Sequence, residues 1–354
     1  MSFENLTDRE KQVLANLINH YISTAGPVGS RAIANRFRMG LSSATIRNTL
    51  QDLEDLGLVE QPHTSAGRIP TDTGYRVYVD ALLKPEQLAE EEKKLIRQRL
   101  LRGGRGIKEI LGQTARLLSD ITHQLGLSIA PRFEVGVLRD LRLIPVAEDR
   151  LMVVVVVESG LARSLILEVE TPLAEESIPE AETVLNERLR GLSLSEIRDT
   201  ITARLLDVRG QGRLIKIVID SKDQIWREDR SDELLFSGTD NLAAMPEFAD
   251  RERLQSILKV VEEGKVLSDF LSQVKNEGLI ITIGREHAIS EIINCSLVTA
   301  TYRVGDISGA VGIIGPTRLP YNKAVSIVEY AARSITDLLS GIDSEKGKEL
   351  DGAR

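Results

Sequence analysis

The stretch SSATIRNTLQDLEDLG, residues 42–57, decides how the amino-terminal part of this chain folds. Ile46, Leu50 and Leu53 recur at i, i+4 and i+7, so they share one helical face that needs a core. Serine ahead of the periodic run is a good N-cap, and Gly57 directly after it is the expected stop. The opposite face carries Ala44, Arg47, Asn48 and Gln51, short or forked side chains able to address base edges. The acids Asp52, Glu54 and Asp55 crowd the second half. Such a helix can enter a major groove only with its first turns. LVEQPHTSAGRIPT (58–71) follows as strand, turn and strand, a hairpin wing with Arg68 placed near its tip. The plainer alternative is an ordinary amphipathic surface helix followed by a hairpin.

The preceding segments favour the first reading. Thr7 and Glu10 make a capping box. Val13, Leu14, Leu17, Ile18, Tyr21 and Ile22 then trace one apolar stripe, which TAGPVG (24–29) breaks. Ser30 opens a second, short helix with Ala32, Ile33 and Phe37 available to pack inward. Three helices, the last two joined by a short glycine-containing turn, and then a hairpin make a winged helix-turn-helix.

Composition narrows the function. At 354 residues the chain has room for two or three domains, and its 42% hydrophobic and 28% charged content is that of a soluble globular protein. The start is polar and acidic, unlike a signal peptide, and the longest apolar run, Leu151–Val157, is too short to span a bilayer. The expected compartment is the cytoplasm. Cys295 stands alone and the four histidines lack ligand spacing, so neither a disulfide nor a metal is expected. The net charge of −8 counts against nonspecific binding to nucleic acid. Through Asp80, acids slightly outnumber bases, so DNA affinity would need two copies of the module. No phosphate-binding GxxxxGK[ST], no GxGxxG after a strand, no nucleophile elbow and no HExxH is present, which leaves an enzyme reading without residues and suggests no cofactor.

Further along, Asp72 begins a helix in which Tyr75, Val79 and Leu82 share a face. Residues 86–102 read as a charged linker helix, RGGRG (102–106) as a hinge, and Ile107 onward as a second amphipathic helix. FEVGVLRDLRLIP, LMVVVVVESG and ARSLILEVE are strand-like, with Val153–Val157 expected in a central strand. Helices follow at about 179–190 and around Ile197, Ile201 and Leu205, and LIKIVID (214–220) is another strand candidate. Residues 220–270 are acidic, with apolar-striped helices at about 250–263 and 265–275. Sheet-like sequence then resumes in LIITIG, SLVTATYRV and ISGAVGIIGP, and a last helix carries Val325, Val328, Ala332, Ile335 and Leu339. The simplest topology is one antiparallel α+β domain interrupted by an inserted, mainly helical piece.

LTDREKQVLANLINHYISTAGPVGSRAIANRF, the run SAGRIPTDTGYRVYVD (65–80), NLAAMPEF, IGREHA and GAVGIIGPTRLPY together resemble the heat-inducible transcription repressor HrcA family, from Leu6 to about Leu339. Leu319 and His287 depart from the commonest pattern, where methionine and asparagine are frequent. The resemblance implies a winged helix (1–84), a linker helix (85–106), a GAF-like domain (107–205 and 276–342), an inserted dimerisation domain (206–275) and a polar tail (343–354). It implies a homodimer on an inverted-repeat operator, the CIRCE element upstream of chaperone operons, and assistance by the GroE chaperonin. The alternative is a metabolite-sensing repressor with an effector in the GAF-like domain. The DNA-contact candidates are Arg31, Ser42, Ser43, Ala44, Thr45, Arg47, Asn48, Gln51, His63, Ser65 and Arg68. Of these, Arg47 is expected to read a base, unless it is merely solvated or paired with Asp52 or Glu54. Arg68 is expected to anchor the wing to phosphate or the minor groove.

Overall fold

The computed structural model describes residues 6–37, 40–101, 106–169, 177–207, 212–226, 234–264, 267, 278–287 and 289–351, with backbone alone for 341–351. Helix α1 (Asp8–Thr24) starts on the Thr7–Glu10 capping box: the Glu10 amide donates to Thr7 Oγ1 (3.3 Å) and the Thr7 amide donates to Glu10 Oε2 (2.7 Å). Helices α2 (Ser30–Phe37) and α3 (Ser43–Asp55) cross it. Val13, Leu14, Leu17, Ile18, Ile33, Ile46, Leu50 and Leu53 fill the space between them. Strands β1 (Val59–Glu60) and β2 (Ile69–Pro70) pair antiparallel as the base of the wing. Helix α4 (Asp72–Val77) continues into a single π turn, Tyr78–Leu82.

Helices α5 (Glu90–Leu101) and α6 (Ile107–Thr122) lead to β3 (Leu125–Ile129). Then come β4 (Leu138–Ala147), β5 (Arg150–Val157), β6 (Ala162–Glu168), α7 (Ile178–Leu189), α8 (Leu194–Arg204), α9 (Arg213–Asp220) and α10 (Lys222–Ile225). Strand β7 (Leu234–Ser237), α11 (Thr239–Ala243), α12 (Arg251–Glu263), β8 (Leu279–Ile283), β9 (Cys295–Val304), β10 (Ile307–Pro316) and a C-terminal helix (Tyr321–Asp351) complete the chain. The tail expected from 343 is thus helical backbone as far as Asp351. RGGRG and the helix expected at 265–275 fall almost entirely outside the described residues. Among the described residues no helix is long and apolar enough to cross a membrane.

The class is α+β with antiparallel pairing. One five-stranded sheet has the order β7-β3-β10-β9-β8, and one three-stranded sheet has the order β4-β5-β6. Two compact units result. The first comprises 1–129, 234–301 and 310–334; the second comprises 130–233, 302–309 and 335–354.

Two sequence expectations require correction. LIKIVID is helix α9, not a strand. Its β-branched composition suggests extended chain, but Leu214, Ile215, Val218 and Ile219 are the buried residues, and spacings of one, four and five are helical. Nor is 206–275 a single inserted body. Leu214, Val218, Ile225 and Trp226 share a core with β4, β5, α7 and α8, whereas Leu242, Phe248, Ile257 and Val261 pack with Leu125 and Leu127 of β3. The reason is β7, which pairs with β3 through Gly126↔Ser237 to Ile129↔Leu234 and ties the chain after 234 to the five-stranded sheet. The interruption therefore runs from 130 to 233.

Val153–Val157 does lie in the central strand of its sheet, yet only alternate residues are buried. Val153, Val155 and Val157 face the helices, while Met152, Val154 and Val156 are half-buried on the outer face. In register across that outer face, Met152 opposes Ile144 on one side and Ile166 on the other.

The departure at His287 has a physical consequence. Its imidazole is buried, with Nε2 donating to the Cys295 carbonyl (2.9 Å), and burial lowers its pKa from the ordinary 6.5. The unfolded chain therefore takes up this proton first as pH falls, so stability present above about pH 6.5 declines below it. Urea unfolding at pH 7.5 and 5.5 should show this loss, and His287→Asn should reduce the difference between the two midpoints.

Candidate nucleic-acid interface

The Ser42 hydroxyl caps α3, accepting from the Thr45 amide (3.1 Å) and lying 2.9 Å from Thr45 Oγ1. The helix stops at Leu56, and Gly57 takes φ 71°. Ile46, Thr49, Leu50 and Leu53 are buried, and the Thr49 hydroxyl donates to the Thr45 carbonyl. The outward face of the first two turns therefore presents Ser43, Ala44, Arg47 and Asn48, all exposed. Among the described residues Arg47 has no ion pair; neither Asp52 nor Glu54 holds it. Arg31 is exposed on α2, next to α3 in the bundle. A helix N-terminus with free donors and an exposed guanidinium suits a groove lined by phosphates and base acceptors.

The wing loop is closed from within by Gln61, whose amide nitrogen donates to the Thr64 and Ala66 carbonyls, both at 3.0 Å. Sequence reading overlooked this residue, because a polar side chain in a turn carries no signal of its own. His63, Thr64 and Ser65 form the exposed tip.

Arg68 requires correction: it sits at the wing's base, not near its tip. Its amide donates to the Val28 carbonyl and the Val28 amide donates to its carbonyl, both at 2.9 Å, so the α1–α2 connection joins the wing. A Cβ on Gly67 would lie 2.4 Å from the Val28 carbonyl carbon, which restricts that position to glycine. The Arg68 side chain is only 16% exposed and turns back onto α3. There Nη2 donates to Glu54 Oε2 (2.7 Å) and Gln51 Oε1 (3.3 Å). Gln51 Nε2 in turn donates to Asp55 Oδ1 (3.1 Å).

A second cluster lies where the winged helix meets the five-stranded sheet. The Asp72 carboxylate accepts from the Arg285 amide (3.0 Å). Arg76 pairs with Glu286, donates to the Ile281 carbonyl (2.7 Å) and reaches Asp80 (3.0 Å). The Tyr78 hydroxyl donates to Asn322 Oδ1 at 2.9 Å, and Asn19 Oδ1 lies at the same distance. Arg318 pairs with Glu247, while the Tyr75 and Tyr321 rings meet at 6.0 Å. Asp72, Tyr75, Arg76 and Tyr78 belong to the run SAGRIPTDTGYRVYVD. The second half of that run thus ties the winged helix to the five-stranded sheet and the C-terminal helix. Hydrogen bonding to Glu286 holds the Arg76 guanidinium above its ordinary pKa. Among the described residues no group of three or more His, Cys, Asp or Glu could hold a metal ion.

Comparison with known proteins agrees with this geometry. The family model described as winged helix-turn-helix transcription repressor, HrcA DNA-binding, matches residues 5–81, and that of the HrcA protein C terminal domain matches 108–325. The chain is similar to the heat-inducible transcription repressor HrcA of Desulfitobacterium hafniense, at 36% identity over 339 residues, covering 95% of this chain and 98% of that one. It is also similar to the heat-inducible transcription repressor HrcA of Chlorobaculum tepidum, at 38% identity over 357 residues, covering 96% and 99%. A crystal structure of a hypothetical protein at 2.2 Å resolution shares the fold, with TM-score 0.58 and 24% identity over 96% of this chain and 100% of that one. The chain belongs to the HrcA family of heat-inducible transcription repressors.

Proposed function

We propose that two copies of this chain bind an inverted-repeat operator of the CIRCE type upstream of chaperone operons. Each copy places the first two turns of α3 in a major groove and its wing tip against the flanking backbone. The observation that carries this is a capped helix N-terminus presenting Arg47, free of ion pairs among the described residues, with exposed Asn48, Ser43 and Ala44 around it. Arg47 and Asn48 address base edges; Arg31, Ser42, Ser43, Thr45, His63 and Ser65 address phosphate or sugar.

A chain of net charge −8 gains little from nonspecific attraction, so affinity comes from joining two half-sites. The outer face of the β4-β5-β6 sheet supports self-association. Ile144 (42% exposed) and Ile166 (54%) flank Met152 as an apolar patch, and Val146 (52%) follows along β4. The second unit is thus the dimerising part, and the five-stranded sheet corresponds to the GAF-like part.

Heat releases the operator through marginal stability, and the GroE chaperonin returns the repressor to its active state. Cys295 is buried, with its thiol pushed up to about 12 by burial, so it is no redox switch. Stabilities of ~5 to 15 kcal/mol make the active fraction fall steeply on heating. Gel shift with an intact and a half-scrambled inverted repeat tests the operator reading: tight binding is expected on the intact duplex alone. Repeated across a temperature ramp, loss of binding should coincide with loss of far-UV circular dichroism, and adding chaperonin should restore it. Release well below any structural transition would instead indicate a bound effector.

A further inference from the structure

We infer that Arg68 is a positioning residue that locks the wing onto the recognition helix, and that Gln51 is held by it and does not read a base. This rests on the reading of the chain as an operator-binding repressor. The wing's base is fixed by the paired Val28–Arg68 backbone, and the Arg68 guanidinium bridges from there to Glu54 and Gln51 on α3. Oε1 of the Gln51 amide accepts from Arg68 and Nε2 donates to Asp55, which orients the amide within the network joining wing and helix instead of leaving it to turn freely toward an adenine. Arg68 Nε is itself shut away from solvent.

Electrostatics supports the same assignment. Glu54 is partly buried on the helix that approaches DNA, and an unneutralised carboxylate there would face the phosphates. Swinging Arg68 outward to a phosphate would create that repulsion and release the wing from α3. Base reading is then left to the first two turns, where the exposed Arg47 and Asn48 stand.

The test uses full-length protein and a fluorescent duplex bearing the inverted repeat, with its scrambled counterpart, at several salt concentrations. Arg68→Met keeps the buried stem, Arg68→Lys keeps the charge without the fork, and Glu54→Gln keeps the shape. Arg68→Met and Arg68→Lys should both weaken binding by about tenfold, and in Arg68→Lys, which keeps the charge, the slope of log K against log salt should be unchanged. Glu54→Gln should weaken it too, and the Arg68→Met/Glu54→Gln double variant should lose no more than Arg68→Met alone. Each comparison is made on variants with the wild-type far-UV spectrum. A lost phosphate contact would instead lower the slope by about 0.9 per half-site, with Arg68→Lys retaining affinity. Either that result, unchanged affinity in Arg68→Met, or tighter binding by Glu54→Gln would overturn the assignment. Gln51→Ala should leave the base-preference panel unchanged, and a relaxed position would likewise overturn it. If wild-type protein fails to distinguish the repeat from the scrambled duplex, the operator reading has failed and the role of Arg68 is not what is at fault.

Discussion

Ile166→Asp is expected to abolish the proposed dimer and to lower operator affinity by about 10²- to 10⁴-fold, the size of a lost two-site advantage. Ile166 is 54% exposed in the single chain, so the substitution removes little from that chain's own core. In a dimer the same side chain would be covered, beside Met152 and across the sheet from Ile144. A carboxylate shut between two apolar sheet faces without a partner costs several kcal/mol, more than such an interface tolerates. Sedimentation at micromolar concentration checks the oligomeric state, and anisotropy on the inverted repeat checks the affinity. Thermal unfolding should change little. Deleting 221–270 would not be a clean test, because that segment supplies Ile225 and Trp226 to one core and Leu242, Phe248 and Ile257 to another.

Arg47→Ala should cost roughly 1 to 3 kcal/mol per half-site, or about 5- to 150-fold, and relax preference at one base position in each half. The guanidinium is exposed, free of ion pairs among the described residues, and carried on a face whose opposite side, Ile46 and Leu50, is locked in the core. Its fork can therefore address a guanine bidentately without first breaking a protein contact. A panel of operators with single-base changes, run at two salt concentrations, separates base reading from phosphate contact. Arg47→Lys should keep most of the salt dependence and lose most of the preference. If Arg47→Ala leaves the preference intact, α3 does not enter the groove by its first two turns.

What the sequence made legible follows from how locally each feature is determined. The caps at Thr7 and Ser42, the apolar stripe of α1 and the stop at Gly57 are set within four residues, and each stands where periodicity placed it. The unread features depend on partners far along the chain. Arg76 and Glu286 are separated by 210 positions, and each alone looks like a solvated charge. Arg68 is placed by backbone pairing with Val28, so a count of residues along the hairpin puts it at the tip while the fold puts it at the base.

Gly74 makes the same point. A Cβ there would lie 2.0 Å from the Leu58 carbonyl oxygen, a close approach that no local pattern announces. Helix α9 is illegible for another reason. Its β-branched residues favour extended chain in isolation, and only the common burial of Leu214, Ile215, Val218 and Ile219 against the three-stranded sheet's core decides for helix.

Whether paired recognition helices read two half-sites is decided by binding stoichiometry on matched duplexes. Analytical ultracentrifugation at fixed salt would compare a full inverted repeat with the same duplex carrying one intact and one scrambled half-site. Two chains are expected per full repeat, bound cooperatively, with at least about 100-fold weaker binding to the single half-site. One chain per duplex, with equal affinity for both, would refute paired reading.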